Sequence, residues 1–596
     1  MTSAMKSPEF KPLKFGTSGI RDLDENLTDL EVFINTRGFL DYLLELGANH
    51  LPGGIQPGGK VALAVDYRPS SRPDKIPRAV AAAILDAGCA PSYCGPAPTP
   101  AVMNLGIQRG IASIMVTGSH IPFGRNGIKF NRPDGEILKD EEAPILARVA
   151  VARARVADRQ TRDPLFDSNG AFMPVKALGV SEMNLLSRAE ESLQKSDARA
   201  TSEFVSRYIQ AFGPEALRGL QLVFYKQSAV GRDVLPAIFR GLGAVVSEVK
   251  ALNVEAGEFL PVDTEKMEES IRAELRTLAR EHTEGTGHKP FAVLSADGDS
   301  DRPVFCDENG EFIPGDQLGV LASLYLKPSF VALPITCNSA AVDALQSFAK
   351  VVQTKVGSPY INKAMRDQLA LDPQARVAGY EANGGYLLGS DWIIEGKTLK
   401  ALPTRDSVLP MICALLLARQ GVVTTADGVT LRVDKVSDLT GLIDRHTAAG
   451  VVDRHDGVPY ASADTGKRIV AALCPQSGAV TEVDFQRETV IQIPTNAAGK
   501  LKSAGQVLDP TLFEELESIR KKLSHYFLPG MGYSAISKIN YLDGVRIYFA
   551  DGDIVQLRPS GNAPEFRFYT EAASASRAQE MCGQRVGIVR RMIESL

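Results

Sequence analysis

The sequence predicts an α/β fold with three similar α/β domains followed by an α+β domain. The main observation is a strand–helix–strand pattern that recurs three times, beginning at Lys60, Leu220 and Phe330. Each copy has an apolar strand, a loop, an amphipathic helix of about three turns and a second short strand, which is typical of a βαβ unit. The last part of the chain alternates apolar and polar residues and then ends in one helix, which favours an α+β domain.

Length and composition indicate a large globular protein. With 596 residues, the chain has room for about four domains of roughly 150 residues each. The net charge of -5, without a lysine or arginine block, predicts no nucleic-acid partner and no membrane partner. The seven cysteines are scattered without metal-ligand spacing and the N-terminus lacks an apolar signal region, so we expect reduced thiols and a cytoplasmic location. The apolar run 408–418 is too short to cross a bilayer and is expected to form a buried helix.

The stretch "TGSHIPFGRNGIKF" (117–130) combines a candidate nucleophile with a lysine and a histidine. The stretch follows an apolar, β-prone run at 111–116. Its glycines and its proline are typical of a loop. Open α/β sheets place their ligand sites at the carboxyl ends of strands. The segment is therefore a candidate active-site loop around Ser119, although a surface turn of small polar residues would have the same composition.

The stretch "SADGDSDRP" (295–303) is a candidate metal loop. Asp297, Asp299 and Asp301 alternate directly after an apolar strand, and closely spaced carboxylates are the oxygen ligands that Mg²⁺ prefers. An EF-hand fits poorly, because Arg302 stands where that motif needs glycine and the loop follows a strand instead of a helix. The remaining alternative is a solvated acidic turn.

Four further loops are weaker when each is taken alone. Arg558 begins an Arg-Pro-Ser-Gly-Asn segment before a predicted strand, and a guanidinium, a hydroxyl and backbone N–H groups are suited to bind a phosphate. Glu381 lies in a glycine-rich loop where a carboxylate could accept hydrogen bonds from sugar hydroxyls. Residues 15–22 and 66–71 are two short polar loops. Taken alone, each of these loops is better explained as a plain turn.

Taken together and in this order, the motifs resemble the α-D-phosphohexomutase family across nearly the whole chain. The resemblance rests on "FGTSGIRD", "TGSHIPFGRNGIK", "DGDSDR", "GYEANGG" and "RPSGNAPEFRFY". It implies the four-domain phosphohexomutase architecture, with each domain giving one loop to a central cleft. The expected domains are 1–195 with the phosphoserine loop, 196–306 with the metal loop, 307–425 with the sugar-binding loop, and 426–596 with the phosphate-binding loop.

The resemblance also implies a reaction. A phosphohexomutase interconverts hexose 1-phosphate and hexose 6-phosphate through a phosphoserine enzyme and a 1,6-bisphosphate intermediate. We favour phosphomannomutase, with phosphoglucomutase or dual specificity as the alternative. Two alternatives belong to other functional classes. A non-catalytic sugar-phosphate-binding relative would not need Ser119, Lys129 and three aspartates together. A serine-dependent phosphatase would not need a second phosphate-binding site at Arg558.

The roles of individual residues follow from the same resemblance. Ser119 would carry the phosphoryl group and help Asp297, Asp299 and Asp301 to hold Mg²⁺. His120 and Lys129 would handle the hydroxyl proton beside the arginines Arg21 and Arg302. The substrate, a small-molecule hexose phosphate, would be bound by Glu381, Asn383, Arg558, Ser560, Gly561 and Asn562. Glucose or mannose 1,6-bisphosphate would serve as activator and intermediate.

The chain departs from the family pattern mainly in its substrate loops. Asn383 and Gly385 stand where the family has serine and histidine, and Asn562 stands where it has threonine. In the serine loop, Ile121 replaces an asparagine and Gly118 an alanine, while the segment 355–359 lacks a histidine often found there. Extra residues lie near 150–200 and 440–470. The choice of hexose therefore stays open.

Overall fold

The computed structural model describes residues 12–16, 19–424, 430–442, 447–452, 463–492, 506–507, 510–559 and 566–596. They form two compact units, one of Met1–Phe330 with Gln374–Leu439 and one of Val331–Pro373 with Thr440–Leu596. The four domain boundaries expected from the sequence stay predictions.

The first unit begins with a six-stranded sheet covered by helices. Its strands are β1 (Gly19–Leu23), β2 (Lys60–Val65), β3 (Ala90–Pro96), β4 (Ala112–Val116), β5 (Arg125–Arg132) and β6 (Gly135–Glu136). The strand order is β1-β5-β4-β2-β3 with β6 beside β5. Strand β2 runs parallel to β3 and β4, whereas β5 is antiparallel to β4 and β1. Residues of β4 are all buried, as expected for a strand whose two faces are both covered.

Six helices accompany this sheet. They are α1 (Asp29–Ala48), α2 (Ile76–Asp86), α3 (Thr99–Arg109), α4 (Glu142–Gln160), α5 (Val180–Ser192) and α6 (Arg199–Phe212). Helix α4 packs on α1 and α5 packs on α2. The extra residues near 150–200 therefore include helices that cover this sheet's own helices.

The second sheet carries the predicted metal loop. It contains β7 (Gln221–Gln227), β8 (Val245–Ala251), β9 (Ala292–Ala296) and β10 (Pro303–Cys306), with the helices α7 (Val234–Gly241), α8 (Glu269–Thr286) and α9 (Gly315–Leu326) nearby. The order is β10-β9-β7-β8, with β7 parallel to β8 and β9, and β10 antiparallel to β9. The loop between β9 and β10 is therefore a tight connection at one edge of the sheet.

The third strand–helix–strand copy lies at the start of the second unit. It consists of β11 (Phe330–Pro334), α10 (Ser339–Gln346) and β12 (Lys350–Thr354), followed by α11 (Ser358–Leu371). All three copies that the sequence predicts are thus present as βαβ units.

The chain then returns to the first unit. The elements here are β13 (Val377–Tyr380), β14 (Tyr386–Leu388), β15 (Trp392–Ile394), β16 (Lys397–Leu399), β17 (Leu402–Asp406), α12 (Val408–Arg419), β18 (Gly421–Thr424) and β19 (Thr430–Val433). Strand β14 pairs antiparallel with both β13 and β17. The apolar run 408–418 forms the predicted buried helix α12, which packs on α9. Among the described helices, none combines the length and apolar character that a bilayer crossing requires.

The second unit ends in an antiparallel α+β region. Its elements are β20 (Thr447–Val452), α13 (Ala463–Leu473), β21 (Val480–Asp484), β22 (Thr489–Gln492), β23 (Gln506–Val507), α14 (Pro510–Ser524), β24 (Ile536–Asn540), β25 (Val545–Phe549), β26 (Ile554–Pro559), β27 (Phe566–Glu571), α15 (Ala575–Gly583) and α16 (Arg585–Glu594). The strand order is β20-β27-β26-β25-β24-β21-β22-β23.

This region confirms the predicted α+β class but corrects one element. The sequence predicts a single C-terminal helix, whereas the structure has two, α15 and α16, with a break at Gln584. Gly583 precedes the break, and glycine is the weakest helix former after proline. The predicted fold class, α/β with a C-terminal α+β part, is confirmed.

Candidate active site

Ser119 lies in the loop between β4 and β5. Its side chain is buried, and its backbone has a φ of +53°, a left-handed conformation that is uncommon for a residue with a side chain. The backbone N–H of Ser119 donates a hydrogen bond to the Thr117 hydroxyl at 2.7 Å. Strained backbone of this kind persists where the surroundings fix it and is frequent at functional sites.

Arg68 holds the serine loop through its backbone carbonyls. The guanidinium donates to the carbonyl oxygens of Ser119 at 2.9 Å, Ile121 at 2.6 Å, Pro122 at 3.2 Å and Arg125 at 3.0 Å. One buried side chain therefore satisfies four acceptors of the same loop. This contact network supplies the rigidity that the strained conformation of Ser119 requires.

Asp66 completes the support from the other side of the loop. Its carboxylate accepts hydrogen bonds from the Thr117 hydroxyl at 2.7 Å and the Gly118 N–H at 3.2 Å. Burial raises the pKa of Asp66. A Cβ at Gly118 would lie only 2.5 Å from Arg68 Nε. The departure from the family's alanine at Gly118 therefore accompanies the close approach of Arg68.

The serine loop meets the metal loop directly. The Ser119 hydroxyl donates to Asp297 Oδ2 at 2.7 Å. The two loops approach closely at Gly298, where a Cβ would lie 2.7 Å from the Ser119 carbonyl oxygen. Only glycine allows this approach without a shift of the backbone.

Three buried carboxylates form the metal loop. Ligand oxygens of Asp297, Asp299 and Asp301 lie within 4.8 Å of one another. The Oδ1 atoms of Asp299 and Asp301 are buried and have no hydrogen-bond partner among the described residues. Buried, unpartnered carboxylate oxygens are costly unless something compensates them. The donor set fits a hard divalent cation such as Mg²⁺.

The three carboxylates differ electrostatically. Burial, together with the neighbouring Asp299 and Asp301, raises the pKa of Asp297 well above its usual range. Burial also acts to raise the pKa of Asp301, but Arg405, Lys129 and Arg302 outweigh it, and the pKa is held below its ordinary value. Asp301 is therefore stabilised in its charged form by all three cationic side chains, Arg405, Lys129 and Arg302.

Lys129 extends from β5 into the cluster. Its Nζ lies 2.5 Å from Asp299 Oδ2 and 2.7 Å from Asp301 Oδ2. Thr99, at the start of α3, also donates to the Asp299 carboxylate through its hydroxyl. The predicted lysine and two of the predicted metal ligands are thus in direct contact.

The other predicted catalytic residues are two arginines and a histidine. Arg302 Nε lies 3.8 Å from Asp297 Oδ2 and 3.8 Å from Asp301 Oδ1. Arg21 lies on β1 opposite Gly127 of β5, and burial, with the charges of Arg302 and Arg405, lowers the pKa of Arg21 to about 10. His120 follows Ser119 and is partly exposed.

The predicted sugar loop connects β13 to β14. Glu381 Oε2 accepts from the Asn383 amide at 3.3 Å and from Arg405 Nη1 at 2.9 Å. The same Asn383 amide reaches Glu265 Oε1 at 3.3 Å, and the Thr264 hydroxyl donates to the Asn383 carbonyl at 2.9 Å. The loop that carries Thr264 and Glu265 therefore packs against the sugar loop.

Arg558 belongs to the second unit. It lies near the end of β26, and its Nε donates to Asp543 Oδ2 at 2.9 Å. The same carboxylate oxygen accepts from the backbone N–H of Val356 at 2.8 Å, in the segment that lacks the family's histidine. Ser560, Gly561 and Asn562 lie outside the described residues.

Comparisons with known proteins show which family the chain belongs to. The phosphoglucomutase/phosphomannomutase family matches at three places, its alpha/beta/alpha domain I at 12–155, its alpha/beta/alpha domain III at 314–431 and its C-terminal domain at 507–587. A phosphomannomutase of Sinorhizobium fredii is 33% identical to the chain, over 97% of the chain and 98% of the relative. The chain belongs to the phosphoglucomutase/phosphomannomutase family. The resemblance seen in the motifs is confirmed, and the chain is an enzyme of this family.

A second relative and a solved structure extend the comparison. A phosphomannomutase of Salmonella muenchen is 31% identical over 94% of the chain and 92% of the relative. A crystal structure of a phosphoglucomutase/phosphomannomutase family protein from Burkholderia thailandensis covers 97% of both chains with a TM-score of 0.59 and 16% identity. The multidomain phosphohexomutase architecture predicted from the sequence is therefore confirmed.

Several site residues of this family member could not be found from the motifs. Arg68 and Asp66 lie in the polar loop 66–71, to which the sequence alone assigns no role. Arg405 lies on β17, without a glycine-rich context, and Glu265 lies in a long loop. For Asp66, Arg68 and Arg405, the available sequence signal is a charged residue near the end of a strand. Many charged residues occupy such positions, so this signal does not identify a site residue before the fold is known.

Proposed function

We propose that this phosphohexomutase interconverts hexose 1-phosphate and hexose 6-phosphate, with mannose phosphates as its preferred substrates. The observation that carries the proposal is the contact of the Ser119 hydroxyl with Asp297, inside a cluster that also contains Lys129. The preference for mannose is supported by the names of the two relatives that are 33% and 31% identical over nearly the whole chain. Phosphoglucomutase or dual specificity is the alternative.

The proposed reaction has two phosphoryl transfers. A hydroxyl oxygen of the bound hexose phosphate attacks the phosphorus of phosphoserine 119, the bond from phosphorus to Ser119 Oγ breaks, and a hexose 1,6-bisphosphate forms. The bisphosphate then reverses its orientation, and Ser119 Oγ attacks the phosphorus of the other phosphate. The bond from that phosphorus to the hexose oxygen breaks, the oxygen takes up a proton, and the isomeric hexose monophosphate leaves the phosphorylated enzyme. Lys129 and His120 would accept and return the hydroxyl proton, because Lys129 contacts the aspartate cluster that Ser119 also contacts, and His120 follows Ser119 in the chain.

The aspartate cluster would hold Mg²⁺ through Asp297, Asp299 and Asp301, together with the phosphate on Ser119. When bound, the cation would neutralise charge on the transferring phosphoryl group. Arg302 and Arg21 would add positive charge next to the same group. Arg68 and Asp66 would keep the serine at a fixed position, since positioning is a large part of phosphoryl-transfer catalysis.

Two groups of residues would bind different parts of the hexose phosphate. Glu381 and Asn383 would bind sugar hydroxyls, and Arg558, Ser560, Gly561 and Asn562 would bind the phosphate that does not react. Glucose or mannose 1,6-bisphosphate would activate enzyme that has lost its phosphate. We place the enzyme in the cytoplasm, because its seven cysteines, all in the described part of the chain, form no disulfide.

The substrate proposal is tested by turnover of three sugars. Purified enzyme is assayed with mannose 1-phosphate, glucose 1-phosphate and glucosamine 1-phosphate, with Mg²⁺ and a trace of the bisphosphate. We expect the highest kcat/KM for mannose 1-phosphate. A higher value for glucose 1-phosphate would establish the alternative, release of inorganic phosphate would indicate a phosphatase, and binding without turnover would indicate a non-catalytic relative.

Glu381→Gln is expected to reduce kcat/KM by similar factors for mannose 1-phosphate and glucose 1-phosphate. Glutamine keeps the shape but loses the charge, which costs about 1–3 kcal/mol in hydrogen bonds to the substrate. The two sugars share equatorial hydroxyls at C3 and C4, and one carboxylate can accept from both groups. A loss confined to one sugar would mean that Glu381 senses C2. Glu308→Gln, a buried glutamate after β10, is the control and should leave both values unchanged.

Arg558→Ala is expected to weaken binding of the hexose phosphate about 10- to 100-fold. The change removes a charge-assisted donor to phosphate, worth roughly 1.5–3 kcal/mol. More bisphosphate should also escape during turnover, and chromatography of the reaction mixture measures it. Arg577→Ala is a matched control, because its Nε also donates to an aspartate of the same unit, Asp553, at 2.9 Å. Equal kinetics for wild type and Arg558→Ala would place the phosphate clamp elsewhere.

A further inference from the structure

Arg405 connects two loops that the sequence treats as separate sites. It lies on β17 and is buried. Its Nε donates to Asp301 Oδ2 at 3.0 Å, and its Nη1 donates to Glu381 Oε2 at 2.9 Å. One guanidinium therefore joins a carboxylate of the metal loop to the carboxylate of the sugar loop. The planar fork of arginine suits this role, since its donors have a fixed geometry.

The strand that carries Arg405 is itself anchored to the metal loop. Ser407 donates from its hydroxyl to the Ser300 carbonyl at 2.8 Å. On the other side, the Thr404 hydroxyl donates to Glu136 at 2.7 Å. The backbone on both sides of Arg405 is therefore held by buried hydrogen bonds, which limits the movement of the guanidinium.

Gly385 provides the room that Arg405 needs. A Cβ at this glycine would lie 2.6–2.8 Å from the Cβ, Cγ and Cδ atoms of Arg405. The position is the one at which the family pattern has histidine. In this chain the arginine stem fills the space beside the sugar loop, so that a side chain at residue 385 would collide with it.

Arg405 donates hydrogen bonds to Oδ2 of Asp301 and to Oε2 of Glu381, one oxygen of each carboxylate. Lys129 and Arg405 both bind Oδ2 of Asp301, whereas its Oδ1 has no hydrogen-bond partner among the residues that the structure describes. Arg405 and Asn383 both bind Oε2 of Glu381. Arg405 thereby restricts the rotation of both carboxylates, while Oδ1 of Asp301 lies 3.8 Å from Arg302 Nε.

We propose that Arg405 is a positioning residue that couples the sugar loop to the metal loop. It orients Glu381 for hexose binding and Asp301 for cation binding. A substitution at one carboxylate therefore alters ligand binding at the other. This inference rests on the proposed function of Asp301 and Glu381. By linkage, the coupling must appear in equilibrium binding.

The first test measures Mn²⁺ binding to the full-length protein without sugar, by electron paramagnetic resonance. Neutralising Glu381 removes one of the carboxylates that offset the charge of Arg405, so that more of this positive charge acts on Asp301, which then attracts a cation less strongly. We expect Glu381→Gln to weaken Mn²⁺ binding about fivefold or more in the Arg405 background. In an Arg405→Met background, the same change should alter Mn²⁺ binding by less than about twofold. Equal effects of Glu381→Gln in both backgrounds, or none in either, would overturn the proposal.

The second test is a double-mutant cycle in KM for mannose 1-phosphate. Arg405→Met should raise KM by a factor similar to that of Glu381→Gln, and the double mutant should lose no more than the larger single effect. Losses that multiply would show that the two residues act independently and would overturn the coupling. Arg405→Lys keeps the charge but not the fork, so it should recover one of the two contacts and give an intermediate KM.

A matched control separates positioning from stability. Arg132 is also a buried arginine that joins two carboxylates, Asp134 and Glu141, in the same unit. Arg132→Met should lower the Tm as Arg405→Met does, yet leave KM and Mn²⁺ affinity unchanged. If Arg132→Met shifts KM as Arg405→Met does, the effect is structural and the proposal fails. Wild-type protein without mutase turnover would contradict the proposed function instead, and the Mn²⁺ test would still apply.

Discussion

Ser119→Ala is expected to abolish mutase turnover while leaving the fold intact. The change removes the oxygen that carries the phosphoryl group in the proposed reaction. Loss of a nucleophile reduces turnover by about 10⁴-fold or more. The hydroxyl makes one described hydrogen bond, to Asp297, and its loss costs about 1 kcal/mol of folding free energy. We therefore expect a Tm close to that of the wild type.

Intact-mass measurement supplies the readout that turnover alone lacks. Wild-type protein should carry one phosphate, and Ser119→Ala should carry none. The control is Ser113→Ala, which removes the hydroxyl of a different buried serine, on strand β4. This variant should retain both the phosphate and the turnover. A phosphate that persists on Ser119→Ala would contradict the assignment of the nucleophile.

Asp299→Asn is expected to weaken metal binding and to slow turnover at low Mg²⁺. The substitution keeps the shape of the side chain but removes one negative charge from an oxygen-only site. Substitution of a residue that only hydrogen-bonds to a metal ligand reduces metal affinity about 10- to 100-fold. Loss of the charge of a ligand itself should reduce metal affinity by at least as much. Higher Mg²⁺ concentrations should recover part of the turnover, and a chelator should stop the wild type.

The metal prediction is measured by calorimetric titration of Mn²⁺ and by kcat/KM against Mg²⁺ concentration. Asp307→Asn provides the control, because this buried aspartate accepts backbone N–H groups in the turn after β10 and lies outside the cluster. It should leave the Mg²⁺ dependence unchanged. Full activity of Asp299→Asn at micromolar Mg²⁺ would mean that the loop does not hold the metal.

The fold could be predicted from the sequence where the signal is local. The three βαβ units and the buried helix α12 follow from apolar periodicity over short windows. The C-terminal helix was predicted as one element, because its apolar spacing continues past Gly583. The break at Gln584 depends on the weak helix propensity of glycine and on packing against the eight-stranded sheet, and periodicity alone does not report either.

The site could be predicted only where one motif contains all of its residues. Asp297, Asp299 and Asp301 are close together in the chain, so their spacing alone indicated a metal loop. Arg405 is more than one hundred residues away from Asp301 along the chain, and Arg68 is 51 residues from Ser119. Such contacts arise from the pairing of strands and the packing of domains, which short sequence patterns do not encode.

The central claim is that Ser119 passes its phosphate to a hexose phosphate. The most direct test labels the protein with ³²P, removes free phosphate and mixes the labelled enzyme with an excess of unlabelled mannose 1-phosphate for less than one turnover. We predict that the label leaves the protein and appears in the hexose bisphosphate and hexose monophosphate fractions. Label that stays on the protein, or that appears only as inorganic phosphate, would contradict the proposed function.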